Sequence, residues 1–443
     1  MSRYYLPADS TSYGSGSGSG SGSRSYAPAN TYGPDSGSGS GSGSRSYVPA
    51  NNYSSGAGLG ADLGSSSRTR SSSRTRSRSR SRSSGSSQQP REVRRDVLPN
   101  MRVVDQSRPD PFHIQHLSPN SRTFRFVVFV MHFAISLLES TKGRSVLINT
   151  GIIVWEGYRP RERRRMAFRG NGDQAHDRAL MEDTVDDFLI NIRTDPPNVI
   201  VSTRVTGEGV AQRLDWWNGE NKFEVKWGAI YRLNKTIIDN AIRVADATEP
   251  DVEEFQRFLF LMGMAAAHEL VHAFVGVVTG NADTLTPAAA DYPRPGIRGS
   301  LVGGESGRYF EGALCGFLVE AYHRDGHRLG VRQAGELIAR TSDINQRAAF
   351  YRLDRNWVLE RLGLDFRSSS FPARVVSWDR LRQPLVSMEE IRGRPTDVDF
   401  DEDITEFIET INSLPVYRVG SEELSHIMAM ATRPQNIRSG LAY

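Results

Sequence analysis

The sequence predicts an α+β fold: a small sheet, then one long buried helix and a helical C-terminal lobe, behind a low-complexity arm. Three observations carry this. Phe255 to Val278 is apolar nearly all round, as a helix enclosed by the rest of its domain must be. Two β-rich stretches, Val199 to Val205 and Phe223 to Leu233, precede it, and Asn218-Gly219 between Trp217 and Phe223 is a hairpin signal. Residues 1–98 consist mostly of Ser, Gly, Arg, Pro and Tyr, with too little aliphatic side chain to offset the entropy of folding. The boundary is therefore drawn between a disordered arm, 1–98, and a folded domain, 99–443.

The arm repeats with a period of 21 residues: Ser2-Arg-Tyr-Tyr-Leu-Pro-Ala-Asp9, Ser23-Arg-Ser-Tyr-Ala-Pro-Ala-Asn30 and Ser44-Arg-Ser-Tyr-Val-Pro-Ala-Asn51. Gly-Ser tracts join the copies, so the tyrosines are spaced stickers on flexible linkers. From Ser65 to Ser84 arginine alternates with Ser or Thr through Arg68, Arg70, Arg74, Arg76, Arg78, Arg80 and Arg82. This stretch resembles the arginine-serine tracts of splicing-associated proteins. It would attract RNA or acidic partners, and phosphorylation would reverse its sign. With 13 Arg against 5 acidic residues, the arm carries +8 of a total +4, which leaves the domain at −4. A nucleic-acid surface on the domain is not expected. The bias to arginine, with only four Lys in the chain, has no physical explanation in the sequence.

Cys315 is the sole cysteine, which excludes an intrachain disulfide, and Met1 to Ser10 lacks a signal peptide's apolar core. Both point to an intracellular protein, cytoplasmic or nuclear. Phe124 to Leu138, interrupted by Arg125 and His132, is too short to span a bilayer, so no membrane segment is expected.

In chain order, Phe126 to Leu138 reads as a buried helix or strand, and Ser145 to Trp155 as strand. Arg159 to Arg165 reads as a solvated loop, and Asp183 to Ile192 as a helix stopped before Pro196. Thr248 is the expected N-cap of the long helix, with Pro250 in its first turn. Beyond it, helices are expected over Ser342 to Leu362, capped by Ser342 and stopped by Gly363, over Asp403 to Ile411, and over Glu422 to Ala431 behind Ser421.

Inside the long helix stands His268-Glu269-Leu270-Val271-His272. Histidines four apart lie on one helical face and can reach one zinc ion. Glu269, about 100° round the helix, falls beside the metal, placed to take a proton from an attacking water. With nine His in 443 residues, chance produces this spacing in on the order of one per cent of chains.

The motif and the sheet before it resemble the zincin metallopeptidases, over roughly residues 225–325. The resemblance implies a zinc-dependent metallopeptidase whose edge strand, here Trp227 to Leu233, pairs with peptide or protein substrate. A third zinc ligand is required. Position 278 is Val, which excludes the metzincin pattern, and His323 and His327 flank Gly326 in a polar stretch. The gluzincin alternative is a glutamate on a following helix, and Glu305 and Glu311 qualify. Six residues separate them, about 240° of helix, so one helix cannot aim both at one ion. Glu311 is preferred because it shares an apolar stripe with Leu314, Cys315, Leu318 and Tyr322, where an unpaired carboxylate would cost several kcal/mol. Glu305, before the expected N-cap Ser306 and on the side of Arg308, is the runner-up. Gluzincins often carry an Asp four residues after the ligand to orient the first histidine; after Glu311 that position is Cys315. Tyr417, His426 and Arg308 are candidate oxyanion donors. The alternative is a noncatalytic zinc-binding interaction protein that recruits RNA or splicing-type partners through its arm.

Overall fold

Secondary structure in this chain is set by caps and by a core that encloses one helix on every side. The computed structural model describes residues 95–107, 114–205, 207–214, 224–280, 286–290, 304–322, 333–342, 348–366, 373–375, 388 and 404–432. All belong to one compact unit that includes Pro90–Tyr443. In chain order, β1 (Leu98–Met101), β2 (Val103–Gln106) and β3 (Gln115–His116) lead into α1 (Arg122–Glu139), α2 (Thr141–Glu156), α3 (Pro160–Arg163) and α4 (Gln174–Thr194). Next come β4 (Val199–Ser202), β5 (Gly209–Arg213), α5 (Val225–Gly228), β6 (Ala229–Asn234), α6 (Lys235–Asp246) and α7 (Val252–Thr279). After α7 follow α8 (Ser306–Cys315), β7 (Leu318–Tyr322), β8 (Glu336–Ser342), β9 (Ala348–Leu353), α9 (Arg355–Leu362) and β10 (Ala373–Val375). Helix Ile404–Ser413, β11 (Tyr417–Val419) and helix Ser421–Thr432 complete the described chain.

The fold is mixed α and β, and its main sheet has the order β3-β2-β4-β6-β5. Strands β2, β4 and β6 run parallel, and β5 closes the far edge antiparallel to β6. The stretch 227–233 is therefore not the edge strand expected of it. Its strand part, β6, is paired on both sides, and among the described strands β5 is the last on that side. The hairpin signal at Asn218-Gly219 lies outside the described residues, but the β5–β6 pairing it would join is present.

Ser145 to Trp155 is helix α2 rather than strand. Ser140 Oγ caps the Gly143 N–H at 3.0 Å, and burial against α4, α7 and α8 outweighs the weak helix propensity of its Val and Ile. Phe126 to Leu138 resolves as helix α1, capped by Ser121. Its two polar interruptions are accommodated individually: Arg125 Nε donates to the Pro119 carbonyl, and His132 meets Arg193 from α4 at 2.8 Å. Arg193 is fully buried and also donates to both Glu139 oxygens, at 3.0 and 2.7 Å. Burial and Arg193 push the His132 imidazole down to about 3, which leaves it a neutral acceptor. Within 159–165, Pro160–Arg163 forms a single exposed helical turn.

Asp251, not Thr248, caps α7, its carboxylate accepting from Glu254 N–H at 2.9 Å; Pro250 precedes the cap. Gly280 ends the helix with a left-handed φ of 70°. Among the described residues α7 is the one helix long and apolar enough to cross a bilayer by itself, and 94% of its apolar window is buried within the fold. It packs on α1, α2, α6, α8, α9 and β5. The C-terminal part is not purely helical. A second antiparallel sheet, β10-β9-β8-β7, occupies it, and among the described residues of the span 342–362 the helix present is α9, capped by Asp354. Ala, Arg and Leu favour a helix within that span, yet Ala348–Leu353 forms β9 and pairs with β8 from Ser342↔Ala348 to Ile338↔Arg352. Tertiary pairing overrides local propensity. The two last expected helices are present at Ile404–Ser413 and Ser421–Thr432.

The arm boundary also moves. Leu98 is fully buried and pairs with Val419, and Val97 is 9% exposed, so a cut between 98 and 99 removes the start of β1. A chain beginning at Pro99 should be less stable than one beginning at Pro90 by about 3–6 kcal/mol, the worth of two buried aliphatic side chains. Urea titration of the two would measure the difference.

Candidate metal centre

Helix α7 places His268, Glu269 and His272 on its buried length, with His268 fully buried, Glu269 1% exposed and the His272 side chain 17% exposed. The two imidazole rings lie 5.1 Å apart between centroids, as expected one helical turn apart. Both present Nε2 to the same atom, Oε1 of Glu305: His268 at 3.2 Å and His272 closer still. These three donor atoms lie within 4.8 Å of one another and could hold one metal ion.

The order of the two glutamates is thus the reverse of the expectation. Glu305 joins the two Nε2 atoms; Glu311 lies on the other side of His268, its Oε1 accepting from Nδ1 at 2.7 Å. The helical-wheel argument failed because Glu305 is not in the helix. It is the N-cap of α8, with extended backbone (φ −124°, ψ 92°), and its Oε2 accepts the Arg308 N–H at 2.7 Å. Capping one end of the carboxylate swings the other end onto the histidines. Ser306, expected as the cap, instead sets its Oγ 3.1 Å from His272 Nδ1.

The apolar stripe drawn through Glu311, Leu318 and Tyr322 is broken as well. Gly316, with φ 81°, ends α8 and turns the chain into β7. This turn brings the Val319 N–H to Glu311 Oε2 at 3.3 Å, so the fully buried Glu311 has a partner on each oxygen. The partner of His268 Nδ1 is thus Glu311 itself, not a residue four positions further on. Cys315 packs against the core, its thiol pushed up to about 12 by burial and by Glu311. Close approach of α8 to α7 depends on Gly307: a Cβ there would stand 2.3–2.5 Å from the His268 ring.

Electrostatics and tautomers agree. Carboxylates can only accept, and two of them flank His268, so without a metal the ring holds both protons. Burial alone would push this imidazole down, but Glu305, Glu311 and Glu269 together hold it up at about 10. Burial would likewise raise the Glu305 carboxyl, yet His268 and His272 keep it far below the usual carboxylate range. His272 Nε2, buried, lies against Glu305 Oε1 without hydrogen-bond geometry. A cation shared by the three atoms would satisfy it. The residues fit zinc: two imidazoles and one carboxylate as ligands, with Nδ1 of each ring engaged by an acceptor that leaves Nε2 for the metal.

On its other side Glu269 accepts from the Ala211 N–H of β5 at 2.7 Å. Tyr231 of β6, opposite Ala211, is close enough to Glu269 that burial and this carboxylate raise its phenol well above the ordinary value. Of the oxyanion candidates, Arg308 lies in the first turn of α8, buried beside Glu305. Tyr417 stacks on His116 at 5.0 Å and meets Phe124 edge-on, while His426 lies in helix Ser421–Thr432, which packs on α1, α9 and α7. His323 and His327 are outside the described residues. The contacts of Ala211 with Glu269, of Ser306 with His272 and of Glu311 with His268 could not be read from the sequence, because each joins elements distant in the chain.

Comparison of the chain with protein-family models, with curated proteins and with solved structures returns no match in any of the three.

Glu305→Gln should abolish stoichiometric zinc binding, whereas Glu311→Gln should weaken it about 10–100-fold, as loss of an orienting partner does; competition with a chromogenic chelator would rank them. Metal uptake must also displace the His268 proton held up to about pH 10. Apparent affinity should therefore rise about tenfold per pH unit from neutrality toward that value. Calorimetry in buffers of different ionisation enthalpy would detect the released proton.

Proposed function

We propose that this chain is a zinc-dependent metallopeptidase that hydrolyses peptide bonds. The observation that carries the reading is the convergence of His268 Nε2, His272 Nε2 and Glu305 Oε1 on one point, with Glu269 held one residue away by an edge strand. A site built only to hold structural metal has no use for that second, non-ligating carboxylate.

His268, His272 and Glu305 would hold zinc, which when bound polarises the scissile carbonyl and acidifies water. The chain's own residues do the rest. Glu311 keeps the Nδ1 proton of His268 in place, and Ser306 does the same for His272. Both histidines thus present a lone pair at Nε2. Glu269 serves as general base, taking the proton of the attacking water on a carboxylate oxygen and passing it to the departing amine. Arg308 is the oxyanion candidate nearest the cluster in the fold, since its backbone already meets Glu305. The more exposed side of the cluster is that of His272 and Glu305, with 17% and 13% of their side chains exposed. Substrate would enter there, because His268 and Glu311 are sealed in the core. Residues 65–84 remain a site for RNA or acidic partners, independent of this chemistry.

Glu269→Gln should keep one zinc per chain, since Glu269 is not a ligand, and lose peptidase activity by about two to four orders of magnitude. Metal analysis and a peptide-library screen on the same preparation would check both. Wild-type protein that holds zinc and cleaves nothing would instead support a noncatalytic zinc-binding interaction protein.

A further inference from the structure

The domain's total charge of −4 predicts no nucleic-acid surface, yet residues 159–169 hold six arginines against one acid, Glu162, a local charge of +5. The fold pins this stretch down. Arg163 donates from Nε to the Tyr158 carbonyl and from Nη2 to the Glu156 carbonyl, both at 2.7 Å, and its guanidinium lies 4.5 Å from the centre of the Trp155 ring. Past the turn of α3, Met166 and Phe168 are buried, and the Ala167 and Phe168 N–H groups donate to the Thr279 and Val278 carbonyls at the end of α7, at 3.1 and 3.0 Å. The stretch thus joins the C-terminal ends of α2 and α7. Cations are favoured at helix C-termini, and this accounts for Arg163. It does not account for Arg159, Arg161, Arg164, Arg165 and Arg169. All five are exposed, and none forms an ion pair among the described residues. Glu162 accepts instead from the Arg159 backbone N–H at 3.0 Å, and Arg169 donates to the Arg164 carbonyl. Like charges held this close repel one another, and an anionic partner would remove that repulsion.

Beside the patch lies a cavity of about 550 Å³, lined in part by Asn149 and Trp155 of α2, Arg163, Gln174 of α4 and Tyr309 of α8. Arg163 belongs to both. Trp155 is 4% exposed, and its buried indole N–H has no hydrogen-bond acceptor, a deficit that buried donors rarely carry. The cavity thus offers an indole donor, two side-chain amides and the Tyr309 ring, which are the donors, acceptors and stacking face that a nucleobase uses. Guanidinium groups meet phosphate with two parallel N–H bonds. A chain of carboxylates would match the patch but has no group for the cavity. We propose that the 159–169 surface and this cavity bind single-stranded nucleic acid, with phosphates along Arg159, Arg161, Arg164, Arg165 and Arg169 and one base in the cavity at Trp155 and Tyr309. The site belongs to the folded domain, is separate from residues 65–84 and does not rest on the peptidase reading.

The test uses the full chain with the seven arm arginines from Arg68 to Arg82 changed to Gln, so that the arm's charge does not mask the domain's. Anisotropy titrations compare labelled oligouridine of about 12 nucleotides, an abasic strand of the same length and an oligoglutamate of equal charge. Five phosphate contacts on a single strand, at about 0.7 ions each, should make affinity for oligouridine fall about a hundredfold between about 50 and 200 mM salt. Gln at Arg159, Arg161, Arg164, Arg165 and Arg169 should remove most of this salt dependence and weaken binding at the lower salt by about tenfold or more. Trp155→Phe keeps a ring under Arg163 and removes the indole N–H. It should weaken oligouridine about two- to tenfold, the worth of one hydrogen bond, without changing the salt dependence or the affinity of the abasic strand. Oligothymidine in parallel shows whether the 2′-hydroxyl is read, and binding of either strand meets the proposal. Unchanged binding in the fivefold variant, or no binding by the arm-neutralised chain, overturns it. Equal affinity for oligoglutamate overturns it in favour of an acidic-polypeptide surface, and an abasic strand bound as tightly as oligouridine overturns the place given to the base. Should the fivefold variant fail to fold, Arg164→Gln with Arg165→Gln should show about two fifths of the change in salt slope; should Trp155→Phe fail, Tyr309→Leu reads the difference between oligouridine and abasic strand.

Discussion

A fully buried imidazole between two carboxylates is the interaction on which this structure turns. His268 has no access to water, so each ring nitrogen needs a partner inside the protein. Helix α8 supplies both: Glu305 from its cap on Nε2 and Glu311 on Nδ1. This clamp dictates the local architecture. Gly307 must lack a side chain for the ring to fit, and Gly316 must end the helix so that β7 can satisfy the second oxygen of Glu311. The second sheet then grows from β7.

The three polar residues of the motif are distributed among three parts of the fold. His268 belongs to α8 through its two glutamates, His272 to the first turn of the same helix through Ser306, and Glu269 to the main sheet through Ala211. Helix α7 is therefore more than the apolar centre of the core. It joins the edge of one sheet to the helix that starts the other, and the candidate site lies at that junction.

Burying ionised groups opposes folding unless they are paired and hydrogen-bonded, and removing one partner of such a pair costs about 3–5 kcal/mol. Here nearly every oxygen and nitrogen of the cluster has a partner, and the exception, His272 Nε2, faces Glu305. The arrangement holds a proton on His268 when no cation is bound and has the donor set to exchange it for one. Opposed to this tightly paired side, Arg193, Glu139 and His132 hold α1 to α4 in a network with no ligating geometry. Buried charge alone does not mark a site. What distinguishes the candidate centre is the convergence of two imidazole nitrogens and a carboxylate oxygen on one point.

Much of the candidate site was legible in the chain itself. The apolar length of α7 and the four-residue spacing of His268 and His272 determine a buried helix with two imidazoles on one face, because helical periodicity is a local property. Glu305 and Glu311 were both legible as candidates for the same reason. Their assignment was not, since the wheel argument assumed both lay within one helix, whereas Glu305 precedes it in extended backbone. Likewise Ser145 to Trp155 has strand propensity and the span of β9 has helix propensity, and packing or pairing with other segments reversed each. The sequence by itself determined the helix, the motif and the short list of candidate ligands. Which carboxylate faces the histidines, which strand forms the edge and which amide holds Glu269 were decided only by tertiary structure, because each is a contact between segments whose separation along the chain carries no periodic signal.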